Sequence, residues 1–479
     1  MCKFILALSV LAVSLAGCAV GPHYTPPDAR ALTPAALTGV DPAVSTEAPA
    51  QRWWSALSDP ELDRLIVRAF ADNPDLAAAE ARVQQARSLA RVAGANYYPQ
   101  ANLDGRVGRD KLSRNGENLA LIPFNPPTTQ FTDFRLGLDA SWEIDLAGKT
   151  RREVEAAMAR FESSAESRND ARVVLAAAVA DAYVDYRGNA ERLDVAHRTL
   201  ESLDQTLRLV TLELDAGLAS ETERRRAQAD RLDGAAAIGP LEAEQRSALF
   251  QLAALTGTDA TALDGELGTR PLATVPPTTA VGLPSTLLLR RPDVRRAERE
   301  LAAATAEVGG AIAAQFPSLS LVGDFGFEAV HAGQFASAAS RYWNFGPQLA
   351  LPLFAGGRLR GNVAAAEAAR DAALASYRSA VLQAFADTES AIVRFTSERR
   401  RESSLAETYA TLDAAHALEQ QRYAAGDASL LDVLAAQRAS DAAADQDAAS
   451  RAQLARYYIA LGKALGGGWQ VDGLASTPP

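Results

Sequence analysis

The feature that most limits how this 479-residue chain can fold is that it repeats itself. The stretch NPDLAAAEARVQQARSLARVAGANYYPQANLDGRVG begins at Asn73, and RPDVRRAERELAAATAEVGGAIAAQFPSLSLVGDFG begins at Arg291. At an offset of 218, Pro74, Asp75, Glu80, Pro99, Leu103, Gly105 and Gly108 match Pro292, Asp293, Glu298, Pro317, Leu321, Gly323 and Gly326. Farther on the offset is 209. Gly137, Arg151, Val154, Gly217, Ser220, Gln228, Leu252 and Gly257 then match Gly346, Arg360, Val363, Gly426, Ser429, Gln437, Leu461 and Gly466. Insertions collect in surface loops, so the change of offset marks a variable loop between two elements of each half. A repeat this long is a tandem duplication, not a short-period solenoid.

Each half reads as helix, strand, loop, strand, long helix, turn, helix. The strand signal is clearest in FRLGLDASWEIDL, residues 134 to 146. Phe134, Leu136, Leu138, Ala140, Trp142, Ile144 and Leu146 alternate with Arg135, Gly137, Asp139, Ser141, Glu143 and Asp145. That is period 2, one oily face and one wet one, and long for a soluble strand. The spacing predicts strands starting at Pro99 and Pro317, where a missing N–H is tolerated, and second strands over Phe134–Leu146 and Phe345–Phe354. From about Arg152 to Leu214 the chain has no proline and reads as one helix. Its last part carries a seam with steps of three and four, Leu193, Ala196, Leu200, Leu203, Leu207, Val210 and Leu214, as in a coiled coil. A further helix is expected after Asp59-Pro60, with Asp59 as cap and Pro60 at the first helical position.

Four strands in two hairpins are too few to close a barrel by themselves. One arrangement covers their oily faces with the chain's own helices. The other puts them in lipid. Aromatics favour lipid: Tyr97, Tyr98 and Phe316 stand where strands begin, and Phe325, Phe327, Tyr342, Trp343 and Phe345 near the far end of the second hairpin. They look like the two girdles of an outer-membrane barrel. Lipid allows no open sheet edge, so strands would be pooled with copies of the same chain in closed symmetry.

The N-terminus reads as a targeting segment. Lys3 precedes the apolar run Phe4–Leu15, too short to span a bilayer. Leu15-Ala16-Gly17-Cys18 resembles a lipobox, which predicts cleavage before Cys18 and a diacylglycerol and N-acyl lipid on it. Cys2 lies within the removed segment, so no internal disulfide is expected. Pro22, Pro26, Pro27, Pro34, Pro42 and Pro49 make the following segment an extended tether. The expected organisation is signal peptide 1–17, lipid-anchored extended segment 18–58, first repeat 59–257 with hairpin 99–146, linker 258–290, second repeat 291–466 with hairpin 317–354, and tail 467–479.

Enzyme signatures are missing. His23, His197, His331 and His416 are scattered without metal-ligand spacing. There is no Walker loop, Rossmann glycine pattern or nucleophile elbow, and Gly356-Gly357 reads as a tight strand-to-helix turn. With a net charge of −11 and no long basic cluster, the chain is not expected to bind nucleic acid. No catalytic residue, metal or dissociable cofactor is expected. A passive exit duct and a structural coiled-coil lipoprotein remain as readings of these residues.

Each long helix is expected to end at a glycine, Gly217 or Gly426, followed by Ser220-x-x-Glu223 or Ser429-x-x-Asp432. Read from the residues, this is a capping box that restarts a helix after a tip turn, with the carboxylate also favoured by the helix dipole.

Taken together, CAVGPHYTPP, WWSALSDPELDRLI, NPDLAAAEARVQQAR, LPSTLLLRRPDVRRAE, LPLFAGGRLRGNV and KALGGGW span nearly the whole chain after Cys18. The set resembles the TolC-like outer-membrane efflux factors of Gram-negative tripartite pumps. It looks closest to the lipoprotein, NodT-type branch that serves resistance-nodulation-division transporters. The resemblance implies a mainly α chain with membrane β structure. Three chains would share a 12-stranded outer-membrane barrel continuous with a long periplasmic helical barrel. The partners implied are two further copies, a periplasmic adaptor and an inner-membrane pump, and the cargo small molecules; a duct for secreted polypeptides stays open. The resemblance also gives the tip turns a second role. Gly217, Ser220, Gly426 and Ser429 would meet the adaptor, and Glu223, Leu431, Asp432, Asp427 and Tyr423 would form the periplasmic gate. Two positions depart from the family: Ala435 replaces a second acidic ring, and Ala428 stands where some members have a tethering arginine. A looser latch follows, with six carboxylates around three chains favouring cations.

Overall fold

The computed structural model describes residues 19–27, 44–113, 129–282 and 290–470. Cys18 and the apolar run before it lie outside them, as do 28–43, 114–128, 283–289 and 471–479. In chain order the elements are β1 (Val44–Ser45), α1 (Pro60–Asp72), α2 (Pro74–Ala95), β2 (Gln100–Lys111), β3 (Gln130–Ile144), α3 (Lys149–Asp215) and α4 (Glu221–Thr256). They continue with α5 (Ala260–Leu267), β4 (Thr279–Ala280), α6 (Pro292–Ala313), β5 (Ser318–Ala329), β6 (Arg341–Ala350), α7 (Arg358–Ala424) and α8 (Leu430–Ala464). Two compact units divide them, one built around 84–163 and 298–376, the other around 44–83, 164–297 and 377–470. Helices α2, α3, α6 and α7 contribute residues to both.

The first unit holds a four-stranded antiparallel sheet in the order β2-β3-β5-β6. Each repeat supplies one hairpin, and β3 pairs with β5 to join them. Residues directly opposite each other share a face. Leu103 therefore pairs with Leu138, Leu138 with Phe325, and Phe325 with Trp343, in one apolar row across four strands. One residue along each strand, Asn102, Asp139, Asp324 and Asn344 form a polar row on the other face. The oily face is left uncovered: Leu103 is 70% exposed, Trp343 76% and Phe345 67%. The chain's own helices do not shield it.

The strand limits differ from those expected. β3 runs Gln130–Ile144 and β6 runs Arg341–Ala350, ending before Leu351 and Phe354. Pro352 has no N–H with which to extend a ladder. Tyr342 is also misplaced by the girdle reading. It pairs with Gly326, which pairs with Gly137, so its ring lies on the wet face. Beside the sheet, the Val20 N–H donates to the Ala147 carbonyl at 3.1 Å. Gly148, with φ 82°, packs so closely that a Cβ there would stand 2.7 Å from the Cα of Ala19.

The second unit carries the main core. Residues 44–57, expected as part of an extended tether, are folded into it. β1 pairs in parallel with β4, and a short 3-10 turn over Trp53–Leu57 buries both indoles. Their large apolar area is the reason: buried aromatics dominate core energetics. The Trp53 ring lies flat on Gly462 of α8, and the Tyr458 hydroxyl donates to the Trp53 carbonyl at 2.8 Å. Gly467 and Gly468 also pack closely on Trp53 and Trp54, so WWSALSDPEL and KALGGGW are two halves of one packed joint. As the sequence indicates, Asp59 caps α1, accepting from the Glu61 N–H at 2.9 Å. It also accepts from the buried Tyr183 hydroxyl at 2.7 Å.

The duplication is visible in hydrogen bonds. Asn73, ahead of α2, donates to the Leu255 carbonyl near the end of α4 at 3.0 Å. Its counterpart Arg291, ahead of α6, donates to the Ala464 carbonyl at the end of α8 at 2.9 Å. Leu255 and Ala464 are themselves equivalent at the 209 offset. Along α3 every residue of the heptad seam is buried or half-buried, with Leu193, Leu203 and Val210 the most enclosed.

Candidate functional site

The site is the pair of turns joining α3 to α4 and α7 to α8. Both helices end in the same way. Gly217 has φ 76° and Gly426 φ 84°, a left-handed conformation that glycine alone adopts without strain. The N–H of Leu218 donates to the Glu213 carbonyl and that of Asp427 to the Arg422 carbonyl, each at 2.8 Å. The N–H of Gly217 reaches Leu214 and that of Gly426 reaches Tyr423, each at 2.9 Å. This is the Schellman closure, which satisfies carbonyls left over at a helix end. A Cβ on either glycine would meet nothing within 4 Å, so backbone conformation, not space, demands glycine here.

Both following helices restart with a full capping box. Ser220 Oγ accepts from the Glu223 N–H at 3.3 Å, and Glu223 Oε2 accepts from the Ser220 N–H at 2.6 Å. Ser429 Oγ accepts from the Asp432 N–H at 3.3 Å, and Asp432 Oδ2 accepts from the Ser429 N–H at 3.0 Å. The backbone N–H and hydroxyl of Ser220 hold the Glu223 carboxyl below its ordinary range. The hydroxyl and N–H of Ser429 do the same for Asp432. Asp432 is exposed and Glu223 half-buried, and both are ionised at neutral pH. The cap uses one oxygen of each, so the charge stays at the surface while the helix end is held.

Behind the turns lies a small apolar cluster of Val210, Ala227, Leu430 and Leu434, with Leu207, Ala219 and Tyr423 packed on it. It brings the two tips together. Leu431 is not part of it: it is 43% exposed and directed outward. The Tyr423 hydroxyl donates to Glu213 of α3. Burial and the Glu213 carboxylate push the phenol up to about 12, so it remains a donor across the working pH range. Glu213 is the residue that sequence reasoning missed. Nothing local marks it, because its partner lies 210 positions away. Arg422 donates to the Asp427 carbonyl at 3.2 Å and pairs with Glu419 at 2.8 Å.

Among the described residues no group of three or more His, Cys, Asp or Glu side chains is arranged to hold a metal. No described helix is long and apolar enough to cross a membrane.

Comparison with known proteins places this architecture. The pattern of the family described as outer membrane efflux protein matches residues 65–258 and 283–467. The chain is 34% identical over 468 residues to the pyoverdine export outer membrane protein OpmQ of Pseudomonas aeruginosa, covering 97% of each. It is 29% identical over 488 residues to nodulation protein T of Rhizobium leguminosarum bv. viciae, covering 99% of this chain and 96% of that one. Among solved structures, the outer-membrane channel OprN superimposes with a TM-score of 0.85 at 33% identity, over 94% of this chain and all of that one. The open-state MtrE channel of Neisseria gonorrhoeae gives 0.81 at 27% identity, over 95% and 99%. An apolar sheet face without cover and two paired helix tips suit a channel, and by these matches the chain belongs to the outer membrane efflux protein family, as a non-catalytic channel of the outer membrane.

Proposed function

We propose that the chain is the exit duct of a tripartite resistance-nodulation-division efflux system, conducting small molecules from pump and periplasmic adaptor to the outside. The observation that carries this is the four-stranded sheet, with its bare apolar face and two edge strands, β2 and β6, that have no partner among the described residues. Lipid tolerates neither an edge nor an unpaired backbone group, so further copies of the chain must close the sheet; the family resemblance sets the number, with three chains giving four strands each to one 12-stranded barrel. Relatives of the chain include a pyoverdine export protein and outer membrane proteins of toluene and solvent efflux pumps. The chemistry of this chain's own cargo is therefore taken to be small and organic.

In this reading Cys18 is the acylated mature N-terminus, as in the lipoprotein branch. Ala19, next in sequence, lies against the turn between β3 and α3, which supports a lipid entering the leaflet beside the sheet. One or two acyl chains plus a barrel make a firm anchor. Mass spectrometry of the N-terminal peptide tests it; an unmodified or differently cleaved terminus defeats it.

Glu223 and Asp432, with Leu431, Asp427 and Tyr423, form the periplasmic gate, and the glycine turns with Ser220 and Ser429 are the adaptor contact. The test is a planar bilayer. Wild-type protein should give cation-selective single channels and a heat-modifiable trimer band. Replacing Asp432 with Asn and Glu223 with Gln keeps size and removes charge. Cation selectivity should drop while the trimer survives. Unchanged selectivity with lower helix stability would leave only the cap, and no conductance at all would leave a structural lipoprotein.

A further inference from the structure

Tyr342 does not stand up from the sheet. It lies along the wet face, across two neighbouring strands. Gly326 is its direct partner on β5, and Gly137 is the next one over on β3. A Cβ on Gly137 would stand 2.2 Å from the Tyr342 hydroxyl, and one on Gly326 would stand 2.9 Å from Cε1 of its ring. The two glycines therefore form a trough that the ring fills, and any side chain in either place would lift it out. At the far end of the trough the hydroxyl accepts from Arg135 Nε at 3.0 Å, and the guanidinium carbon sits 4.8 Å from the ring centroid. The contact combines a hydrogen bond with a cation–π interaction.

The position of this clasp matters because of its neighbours. Arg106, Arg135 and Glu328 form one row across the sheet, followed two residues on by Asp104, Gly137, Gly326 and Tyr342. The next row is Asn102, Asp139, Asp324 and Asn344, in which the Asn102 amide donates to Asp139 at 3.1 Å. An arginine side chain is long enough to reach several ångströms away from the sheet. Here it is folded down against the wall, opposite Glu328.

We propose that Tyr342 is a selectivity-positioning residue of the channel, which clamps Arg135 against the barrel wall and leaves the neighbouring Asp139 and Asp324 to dominate the field felt by passing ions. The inference rests on the reading that the wet face lines the pore. If the clamp is released, the guanidinium moves toward the axis and offsets the carboxylates. In water a unit charge brought from about 8 Å to about 4 Å changes the energy of a passing monovalent ion enough to alter its partition roughly twofold.

The experiment measures reversal potential across a planar bilayer in a tenfold KCl gradient, using full-length protein whose trimer band is intact. Tyr342→Leu should lower the cation-to-anion permeability ratio by about twofold or more. Tyr342→Phe, which keeps the ring in the trough and loses only the hydroxyl, should lie between. Arg135→Gln should abolish the effect of Tyr342→Leu, because no cation is then released. An unchanged ratio in Tyr342→Leu, or a change that persists with Arg135→Gln, overturns the proposal. If Tyr342→Leu fails to assemble, the comparison of Tyr342→Phe with and without Arg135→Gln decides by the same criterion. A separate arm tests the underlying reading. A membrane-impermeant thiol reagent should lower the conductance of Arg135→Cys; if it does not, the wet face does not line the pore, and that reading fails on its own.

Discussion

Tyr423 of α7 and Glu213 of α3, 210 residues apart, are joined by a hydrogen bond at the paired helix tips. The phenol is the donor and the carboxylate the acceptor, and the tyrosine ring packs on the apolar cluster behind the turns. A hydrogen bond to a charged group contributes about 1.5–3 kcal/mol. Tyr423→Phe leaves the ring packed and removes this bond. Under the proposed gate, the tip arrangement that holds this bond should lose about tenfold or more in its population per chain, seen as a changed open probability in single-channel recordings. Unaltered gating would show that the bond is incidental.

The two faces of β3 should answer differently to the same substitution. Leu138→Arg puts a cation on the apolar face and should cost about 2–4 kcal/mol near mid-bilayer. Asp139→Arg, on the opposite face, should be mild. The measure is the temperature at which the trimer band disappears on a gel. Equal loss in both variants would remove the assignment of faces.

Gly462 and Gly361 are both helical glycines and should respond with opposite signs. A Cβ on Gly462 would stand 2.5–2.9 Å from ring atoms of Trp53, an indole packed in the core. Gly462→Ala should therefore destabilise by about 1–3 kcal/mol, since overpacking outweighs the better helix propensity. Nothing lies within 4 Å of a Cβ on Gly361 in α7. Gly361→Ala should stabilise by about 0.5–1 kcal/mol. Thermal unfolding monitored by circular dichroism distinguishes them.

Asp181, in α3, gives a pH dependence. Burial, then the neighbouring Asp185 carboxylate, push it up to about 6, against the partial support of Arg456 and Lys463. Arg456 is engaged with Asp185 at 2.6 Å. The folded pKa is above the unfolded value of about 3.9, so the fold prefers the protonated acid. The stabilising contribution of that proton is complete below about pH 4 and is lost as pH rises through about 6. Asp181→Asn should stabilise the protein at pH 7.5 by up to about 2 kcal/mol, discounted for partial solvent access. Near pH 4 the variant and the wild type should unfold alike. A gain of equal size at both pH values would mean that the charge is not the cause.

Most of the fold was legible because its signals are local. Alternation at period 2 marked β3, the seam at steps of three and four marked the enclosed face of α3, and Ser-x-x-Glu and Ser-x-x-Asp marked two helix starts. Each depends on residues no more than a turn or a strand repeat apart, where backbone geometry alone decides which side chains meet. The duplication was legible for a related reason, since two copies of one fold need the same glycines at the same turns.

The tertiary structure decided what the local code leaves free. Period 2 assigns Tyr342 to one face or the other only after the register with β5 is set, and that register put it over two glycines on the wet side. The tip joins Tyr423 to Glu213, and the core joins Trp53 to Gly462 and Tyr458, across 210 and about 405 residues. No repeat distance in the chain encodes such pairs. They exist because close packing leaves one place for an indole and one donor for a carboxylate, and only the assembled helices define where those places are.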